Sequence, residues 1–430
     1  MSQLQTSSDP AVQQTQSLLD ALTDGYTPRD FAVRFWDGST RDPESGQSAC
    51  FTLVLQHPGA LRRMFWPPHR MPLGEAYIYD DFDVEGDIHA FLRFIHHLIA
   101  KDWTLGERLR MAARLLRLPS VSRARTGRQA AQLKGRKHSI DRDKQAISYH
   151  YDLSNDFFAL WLDPRMVYSC AYFADANDSI EAAQERKLDY LCRKLRLEPG
   201  QRLLDIGCGW GGLALYAAER YGVDVVGVTL SRRQMELANE RIRAAGLEKR
   251  CRVEYRDYRE LTETDHFDKV VSVGMAEHLG KEMLPTFFRA VWQVLRPQGV
   301  FLNQAIALNA GKRPPRWTAF SHRYVFPDGE LRPLPSTLQA AEAAGFEIRD
   351  IESLREHYAL TLAQWVGRLE ENRDAAREAT DEATYRVFRL YLAGARQGFL
   401  RGVYNLYQAL LCKSAGGNSN LPLTRAGWYA

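Results

Sequence analysis

The chain has 430 residues, of which 45% are hydrophobic and 26% are charged, the composition of an ordinary soluble globular protein. This length accommodates about two or three domains, and no apolar run approaches the roughly 20 residues that span a bilayer. The first residues carry no basic stretch followed by an apolar core, so we expect no signal peptide. The six cysteines show no CxxC pair and no zinc-ligand spacing, so we expect a reducing compartment and no metal site.

The net charge is distributed unevenly along the chain. Residues 101–140 contain eleven lysines and arginines and two acids, a local balance of +9 against +4 for the whole chain, so the remainder is acidic. Such a segment indicates either a polyanionic partner or a solvated linker. Because Leu109, Leu115, Leu116 and Leu118 interleave with the arginines, we favour an anionic membrane surface over nucleic acid as the partner.

The N-terminal third predicts strands followed by a helix. Alternating apolar residues between Phe31 and Leu55 predict strands, with a hairpin turn at Asp37-Gly38. Apolar residues at helical spacing predict a helix that starts near Asp87. We therefore expect four segments, namely a flexible N-terminus at 1–27, a small α+β lipid- or membrane-associated module at 28–105, a basic linker at 106–145 and a catalytic domain at 146–430.

The stretch from Arg202 to Gln234 predicts a strand, a glycine-rich turn, a helix and a second strand. This βαβ unit alone fits several nucleotides, although GxGxxG and a ribose-binding acid after the second strand would favour a dinucleotide. Here Asp205 ends the first strand, directly before the glycines of DIGCGWGG. A carboxylate suits the cationic sulfonium and amino group of S-adenosylmethionine (SAM) better than it suits a pyrophosphate. The pattern therefore favours SAM.

Three further strands are predicted after this unit, at Val253–Tyr255, Phe267–Val273 and Gly299–Ile306. Together they indicate a doubly wound α/β fold, in which ligands bind outside the carboxyl ends of the strands. Asp257 follows the third strand and Glu277 follows the fourth. Beyond them we expect a loop-rich lid at 309–335, with Trp317 and other aromatic residues, and a largely helical segment at 338–411.

Several motifs from Ala146 onward resemble those of the cyclopropane-fatty-acyl-phospholipid synthase family, which includes the mycolic acid cyclopropane synthases. They are, in chain order, YHYDLSND, YSCAYF, LLDIGCGWGG, GVTLS, RDYR, VSVGMAEHLG and RYVFPDGEL. The combination of YSCAYF with DIGCGWGG is specific, since a generic SAM methyltransferase lacks the first. The resemblance implies a class I SAM-methyltransferase domain with a helical or lid insertion, preceded by a small α+β domain.

The resemblance also implies an activity. This family transfers a methyl group from SAM to the cis double bond of an unsaturated phospholipid acyl chain, which leaves a carbocation. A base, thought to be a bicarbonate ion, then removes a proton from the new methyl group and the ring closes. An aromatic, water-free pocket suits this chemistry, because ring faces stabilise a cation without reacting with it.

Individual positions follow from the same resemblance. Cys170, Glu277, Ile306 and Tyr358 match the family's bicarbonate pocket, with Glu277 as the group that accepts a proton from bicarbonate. The expected SAM-binding residues are Tyr168, Ser169, Asp205, Gly207, Gly209, Thr229, Gln234 and Asp257.

One position departs from the family. A histidine usually stands in the fifth strand where this chain has Gln304, and glutamine forms hydrogen bonds but does not titrate. Relatives that make methylene- or methyl-branched acyl chains look similar here, so a branched product is the alternative to a cyclopropane. An inactive SAM-fold lipid-binding protein is the alternative of another class.

We further expect a peripheral enzyme on the cytoplasmic face of a bacterial inner membrane. A homodimer is possible. Nucleic acid is not expected as a substrate, because a base-stacking motif such as NPPY is absent from the sequence.

Overall fold

The computed structural model describes residues 9–44, 46–67, 72–121, 124–312 and 318–429. The chain divides into two compact units, one of Met1–Gln129 with Asp381–Gln397 and the other of Ala130–Thr380 with Gly398–Ala430. This division corrects two expected boundaries. Residues 381–397 were expected in the catalytic domain but belong to the first unit, and residues 130–145 were expected in the linker but belong to the second.

The first unit begins with helices packed around a small sheet. Its elements up to residue 117 are α1 Pro10–Thr23, β1 Phe31–Arg34, β2 Thr40–Arg41, β3 Phe51–Leu55, α2 Ala60–Phe65, α3 Pro72–Ile78, β4 Phe82–Gly86, α4 Ile88–Ala100 and α5 Leu105–Arg117. Among the described residues the strands form a four-stranded sheet in the order β2-β1-β3-β4. Strands β1 and β3 are parallel, and the other two pairs are antiparallel.

Three predictions for this unit are confirmed and two are wrong. Strands β1 and β3 lie within the predicted stretch from Phe31 to Leu55, the Asp37-Gly38 hairpin joins β1 to β2, and α4 starts after the N-cap Asp87. The expected flexible N-terminus is wrong for 10–23, because the Asp9 carboxylate caps α1 and this helix buries four apolar residues, Val12, Leu18, Leu19 and Leu22. Residues 1–8 lie outside the described residues. The expected basic linker at 106–145 is wrong for 106–117, which lie within α5.

The second unit alternates helices with strands. Up to residue 379 its helices are α6 Ile140–Tyr151, α7 Asn155–Ala159, α8 Ile180–Leu195, α9 Gly212–Tyr221, α10 Arg232–Ala244, α11 Gly280–Val294, α12 Thr318–Tyr324, α13 Leu334–Ala343, α14 Arg355–Glu371 and α15 Arg373–Ala379. The strands over the same range are β5 Arg202–Ile206, β6 Asp224–Thr229, β7 Cys251–Tyr255, β8 Phe267–Val273, β9 Leu295–Leu308 and β10 Glu347–Ser353. Single 3₁₀ turns lie at Tyr258–Glu260 and Ala276–His278.

Helix α16 (Glu382–Leu400) follows, and its residues up to 397 belong to the first unit. Two buried arginines attach it there. The Arg389 guanidinium donates to the Tyr77 hydroxyl at 2.8 Å and to the carbonyls of Val84 at 2.9 Å and Gly86 at 3.1 Å. Arg386 donates to the carbonyl of Tyr77 at 2.9 Å. The chain then returns to the second unit with β11 (Tyr404–Cys412) and α17 (Ala426–Tyr429).

The sheet of the second unit positions the candidate site. In the described residues its seven strands lie in the order β10-β11-β9-β8-β5-β6-β7. Strands β9, β8, β5, β6 and β7 are parallel to one another. Strand β11 runs antiparallel to both of its neighbours, β9 and β10. One apolar cluster covers each face of the sheet. The carboxyl ends of β5, β6, β7 and β8 therefore meet at one edge, where open α/β sheets bind ligands.

The expected doubly wound α/β fold is confirmed, including the predicted strands at 203–206, 253–255 and 267–273. The prediction of a largely helical segment at 338–411 is wrong for β10 and for the part of β11 within it. Strand β10 escaped prediction because its sequence, EIRDIES, is mostly polar. The expected lid contains the short helix α12, and Trp317 lies outside the described residues.

We predict that Arg389→Leu destabilises the first unit. The substitution removes the donor from three acceptors around a buried side chain, namely the Tyr77 hydroxyl and the carbonyls of Val84 and Gly86. The free energy of unfolding should therefore fall by about 3 kcal/mol. Urea unfolding followed by circular dichroism measures this loss. Arg34→Leu is the matched control, because the Arg34–Glu85 ion pair is largely exposed and should contribute less than about 1 kcal/mol. Equal losses in the two variants would contradict a specific role for Arg389.

Candidate active site

A cavity opens at the carboxyl edge of the second unit's sheet. All eight residues predicted to bind SAM line it, namely Tyr168, Ser169, Asp205, Gly207, Gly209, Thr229, Gln234 and Asp257. They come from the segment before α8, from the ends of β5, β6 and β7, and from the first turn of α10. Because these segments are distant in sequence, their convergence on one cavity supports the predicted cofactor site.

The glycine-rich turn after β5 cannot accommodate side chains at two of its positions. Gly207 has φ +81°, a backbone conformation that side chains rarely adopt. Gly212 begins α9, and a Cβ atom there would lie 2.8 Å from the carbonyl oxygen of Arg165. Both positions therefore require glycine, which explains why this turn is recognisable in the sequence.

The end of β6 presents an ordered amide to the cavity. Thr229 donates its hydroxyl to Oε1 of Gln234 at 2.7 Å, and Ser231 caps α10 by accepting the Gln234 N–H. Because Oε1 of Gln234 is already engaged, its amide nitrogen is the group left to donate to a ligand.

Two buried groups of opposite charge line the cavity beside each other. Burial raises the pKa of the Asp205 carboxyl to about 7, and the Lys187 ammonium opposes this shift. Burial lowers the pKa of Lys187 to about 8, against the opposing pull of Asp163. The Lys187 Nζ donates to the Ser169 hydroxyl at 2.9 Å. An ammonium and a carboxylate in one cavity complement the carboxylate and amino group of a bound amino acid moiety.

Sequence reasoning missed Lys187. It occupies a position of α8 four residues after Ala183 and four before Leu191, both buried. A lysine within such an apolar stripe was the available signal, since charged residues are rarely buried without a partner.

The other end of the cavity holds a charge network around Asp257. Arg259 donates to both oxygens of the Asp257 carboxylate, at 2.7 and 2.6 Å, and to Asp143 at 2.8 Å. Asp143 and Arg259 also line the cavity but were not predicted. Asp257 therefore lies where the sequence placed it, with its carboxylate already paired to an arginine.

Glu277 lies at the end of β8 in a single 3₁₀ turn. One oxygen of its carboxyl accepts the backbone N–H of Ile306 at 2.7 Å. The other oxygen is buried and has no hydrogen-bond partner among the described residues. Burial raises the pKa of Glu277 to about 7. Its neighbours Met275 and His278 line the cavity, so this acid lies beside the cofactor site.

Leu354 contacts Cys170 and the backbone of Tyr358, and it is linked to Ile306 through Leu406 on the neighbouring strand. The Leu354 carbonyl accepts the backbone N–H of Tyr358 at 3.2 Å, and the Cys170 Sγ lies 3.9 Å from the same oxygen. The Leu354 N–H donates to the carbonyl of Leu406, the register partner of Ile306. Burial raises the pKa of the Cys170 thiol far above its usual range, so this residue stays a thiol.

Gln304 is the fifth predicted catalytic residue, and the oxygen of its side-chain amide is hydrogen-bonded. Its Oε1 accepts from Nε2 of Gln408 at 2.9 Å, and Oε1 of Gln408 accepts from Lys194 at 2.9 Å. All three side chains are buried. The sequence identified Gln304 through the family's motif, whereas Gln408 and Lys194 carried no such signal.

The parallel core of the sheet, the glycine turn after β5 and the acid-bearing cavity at the carboxyl edge define a class I SAM-dependent methyltransferase. The chain belongs to the mycolic acid cyclopropane synthetase family, whose model matches residues 138–409. A second model, a domain of unknown function (DUF7884), matches residues 19–100.

Individual relatives agree with this assignment. The chain is 40% identical to a probable fatty acid methyltransferase of Pseudomonas putida, over 92% of this chain and 95% of that protein. It is also 40% identical to the cyclopropane-fatty-acyl-phospholipid synthase of Escherichia coli strain K12, over 61% of this chain and 66% of that protein. The mycolic acid cyclopropane synthase CmaA1, solved with SAH and CTAB, matches with 34% identity and a TM-score of 0.60, over 62% of this chain and 97% of that one.

Within the described ranges, none of the helices combines the length and hydrophobicity needed to cross a bilayer.

We predict that Asp205→Asn weakens SAM binding about tenfold or more at pH 8, because the variant lacks the charge that attracts the cationic ligand. The wild-type affinity should fall as the pH drops from 8 to 6, since protonation neutralises an acid whose pKa is about 7. The affinity of the variant should change less over that range. Isothermal titration calorimetry measures both quantities.

Asp224→Asn is the control, because Asp224 is an exposed acid at the opposite end of β6. If Asp205→Asn bound SAM as tightly as this control at pH 8, Asp205 would have no charge role in binding.

Proposed function

We propose that this protein transfers a methyl group from SAM to the cis double bond of an unsaturated phospholipid acyl chain and forms a cyclopropane ring. The observation that carries the proposal is the Glu277 carboxyl, which is buried beside the cofactor cavity with one oxygen lacking a hydrogen-bond partner among the described residues. The names of the relatives from Pseudomonas putida and Escherichia coli support a lipid acyl chain as the substrate.

The residues present fit both groups that the reaction requires. SAM supplies an electrophilic methyl group, and Asp205, Lys187 and the glycine turn would hold it. Bicarbonate would supply the base that removes the proton. Its hydroxyl could donate to the second Glu277 oxygen, which has no partner among the described residues. Cys170, Ile306 and Tyr358 would complete its surroundings.

In this proposal Glu277 accepts the proton of bicarbonate, which makes bicarbonate a stronger base. Its pKa of about 7 reflects burial, and the fixed hydrogen bond from the Ile306 N–H stabilises the carboxylate form. An acid with this pKa gains and loses a proton at little free-energy cost near neutral pH. Only the deprotonated form accepts a proton, so turnover should rise as the pH increases through about 7.

Aromatic side chains supply the dry, cation-tolerant surroundings. Tyr168, a cavity-lining residue, packs against Trp161 at 5.0 Å and Trp365 at 5.2 Å between ring centroids. Tyr358 lies 6.1 Å from Trp365 and 4.7 Å from Phe399. Such rings exclude water and present negative faces to a carbocation, which prevents its capture by a nucleophile.

A branched product is the second candidate, and Gln304 favours it. A glutamine at this position does not titrate. It therefore cannot exchange a proton with the base that deprotonates the cation, as a histidine in relatives could. The Pseudomonas putida relative, which matches nearly the full chain, is named a fatty acid methyltransferase. In this candidate the same methyl transfer is followed by a hydride shift and by loss of a proton from the transferred methyl group, which leaves a methylene branch. A saturated methyl branch would additionally require a hydride donor that reduces this methylene.

The experiment that separates these candidates is expression in a host that lacks its own synthase, followed by gas chromatography–mass spectrometry of the fatty acids. A cyclopropane acyl chain supports the proposed product. A methylene- or methyl-branched chain supports the second candidate. Unchanged fatty acids in membranes rich in cis-unsaturated lipid would contradict both and favour an inactive lipid-binding protein.

We predict that Glu277→Gln retains SAM binding but lowers turnover about 100-fold or more, because an amide cannot accept the proton. Calorimetry with SAM and a radiolabel transfer assay on phospholipid vesicles measure the two effects. Glu282→Gln, an exposed acid in the first turn of α11, is the control and should keep normal turnover. Full activity of Glu277→Gln would remove this residue from the mechanism.

We also propose that α5 brings the protein to an anionic membrane, on the cytoplasmic face of a bacterial cell. Three leucines on this helix are exposed, Leu105 by 75%, Leu109 by 63% and Leu116 by 44%. Their spacing of four and seven residues places them on one face. The helix also carries four arginines, all exposed, at 108, 110, 114 and 117. An apolar stripe beside cationic side chains is typical of helices that lie in a lipid interface.

The triple variant Leu105→Ser/Leu109→Ser/Leu116→Ser should bind vesicles containing phosphatidylglycerol about tenfold or more weakly than the wild type. It should retain activity on detergent-dispersed lipid. Co-sedimentation and the transfer assay measure these properties, with Leu423→Ser, an exposed leucine elsewhere, as the control. Unchanged vesicle binding, or a dimer that becomes a monomer in the triple variant, would contradict a membrane role and favour a second copy of the chain on this face.

A further inference from the structure

A row of three polar residues crosses the sheet of the second unit and ends beside Val273, which lines the cofactor cavity. Glu352 on β10 is the register partner of Gln408 on β11, and Gln408 is the partner of Gln304 on β9. Gln304 in turn pairs with Val273 on β8, which lines the cavity. Register partners point their side chains to the same face of a sheet. The four side chains therefore lie side by side on one face.

Lys194 of α8 lies at the far end of this row. Its Nζ donates to Glu352 at 2.5 Å and to Oε1 of Gln408 at 2.9 Å. Lys194 is 1% exposed and Gln408 is fully buried. Lys194 also lies 3.7 Å from the Asp350 carboxylate, so its positive charge is compensated. A buried lysine with acidic partners keeps its three N–H donors in place.

The lysine determines how both glutamine amides are oriented. An ammonium only donates, so the Gln408 atom that faces it must be the oxygen. The nitrogen of Gln408 must then face Gln304 and donate, which requires the Gln304 atom on that side to be its oxygen. The observed 2.9 Å contact from Nε2 of Gln408 to Oε1 of Gln304 agrees with this order. The nitrogen of Gln304 is therefore the group left for the other side of the strand, where Val273 lines the cavity.

We propose that Lys194 and Gln408 are positioning residues that hold the Gln304 amide with its N–H groups toward the reaction site. Gln304 thereby acts as a fixed hydrogen-bond donor to an oxyanion at the position where the family has a histidine. This inference rests on the proposed function, because it assigns the orientation of a residue in the same site. It also identifies a determinant of that site outside the family's motifs.

The proposal explains how the site tolerates the loss of a titrating group. A donor stabilises a bound anion at every pH, whereas an imidazole changes between neutral and cationic forms near pH 6.5. A misoriented amide would instead present its oxygen to the anion, and two acceptors repel each other. Orientation therefore decides whether Gln304 helps or opposes anion binding.

The central test is Gln408→Glu. A carboxylate accepts at both oxygens and still pairs with Lys194, so the fold should be retained. The only way for Gln304 to keep a hydrogen bond to this residue is to rotate its amide and turn its oxygen toward the site. We expect a melting temperature and SAM affinity close to those of the wild type. The kcat on vesicles of unsaturated phosphatidylglycerol should fall about tenfold or more, with an unchanged KM for lipid.

Three further variants separate orientation from packing. Glu352→Gln alters the other partner of Lys194 without changing the order of donors toward Gln304, so it should keep the wild-type kcat. Gln304→His retains a ring acceptor for Gln408 and a ring N–H for the site, so it should also remain active. Gln304→Glu has the same size as glutamine but no donor, so it should lose activity as Gln408→Glu does. Equal losses in Glu352→Gln and Gln408→Glu, or an inactive Gln304→His, would overturn the proposal.

A spectroscopic measurement tests the orientation without turnover. The side-chain NH₂ signal of Gln304, assigned from its disappearance in Gln304→Glu, should shift when sodium bicarbonate is added to the SAM-free wild type. It should not shift in Gln408→Glu. If the Gln304 signal of the wild type does not shift when bicarbonate is added, the inference is overturned even if the enzyme is active. If the wild type methylates no lipid but its signal shifts, the proposed substrate is wrong and the orientation of Gln304 stands.

Discussion

The site depends on one hydrogen bond, from the backbone N–H of Ile306 to the carboxyl of Glu277, at 2.7 Å. It joins the turn after β8 to the C-terminal end of β9 and fixes an acid in a buried place. Burial alone would favour the protonated form of this acid, and the N–H donor partly offsets that preference. The result is a carboxyl group with a pKa of about 7 whose second oxygen has no hydrogen-bond partner among the described residues.

The surrounding elements are arranged to keep this place dry and rigid. The YSCAYF segment is fastened to α14 by the N–H of Ala171, which donates to Thr361 at 3.0 Å, and by the N–H of Phe173, which donates to His357 at 3.0 Å. On the other side, the row from Lys194 through Gln408 fixes Gln304. Both arrangements use buried hydrogen bonds, which are costly to break because the released groups have no water to replace their partners.

The parts of the site that could be predicted from the sequence are local. The glycine turn and Asp205 form one short motif in which the backbone conformation requires the glycines. All eight predicted cofactor residues line one cavity. Lys187 left a signal, a lysine in an apolar stripe, but the sequence does not show what it contacts. The contact of Arg259 with Asp143 and the role of Gln408 depend on packing and strand register between distant segments. The same reason explains why residues 381–397 were placed in the wrong domain, since only the contacts of α16 reveal where it packs.

The central claim is that a buried base removes a proton from a methyl group that has just been transferred to an acyl chain. The most direct test is to incubate the purified protein with SAM that carries a trideuterated methyl group and with vesicles of cis-unsaturated phospholipid. Mass spectrometry of the acyl products then gives the number of deuterium atoms retained. The account predicts one added carbon that retains two of the three deuterium atoms, whether the product is a cyclopropane or a methylene branch. An added carbon that retains all three deuterium atoms would contradict it, because the transferred methyl group would never have lost a proton.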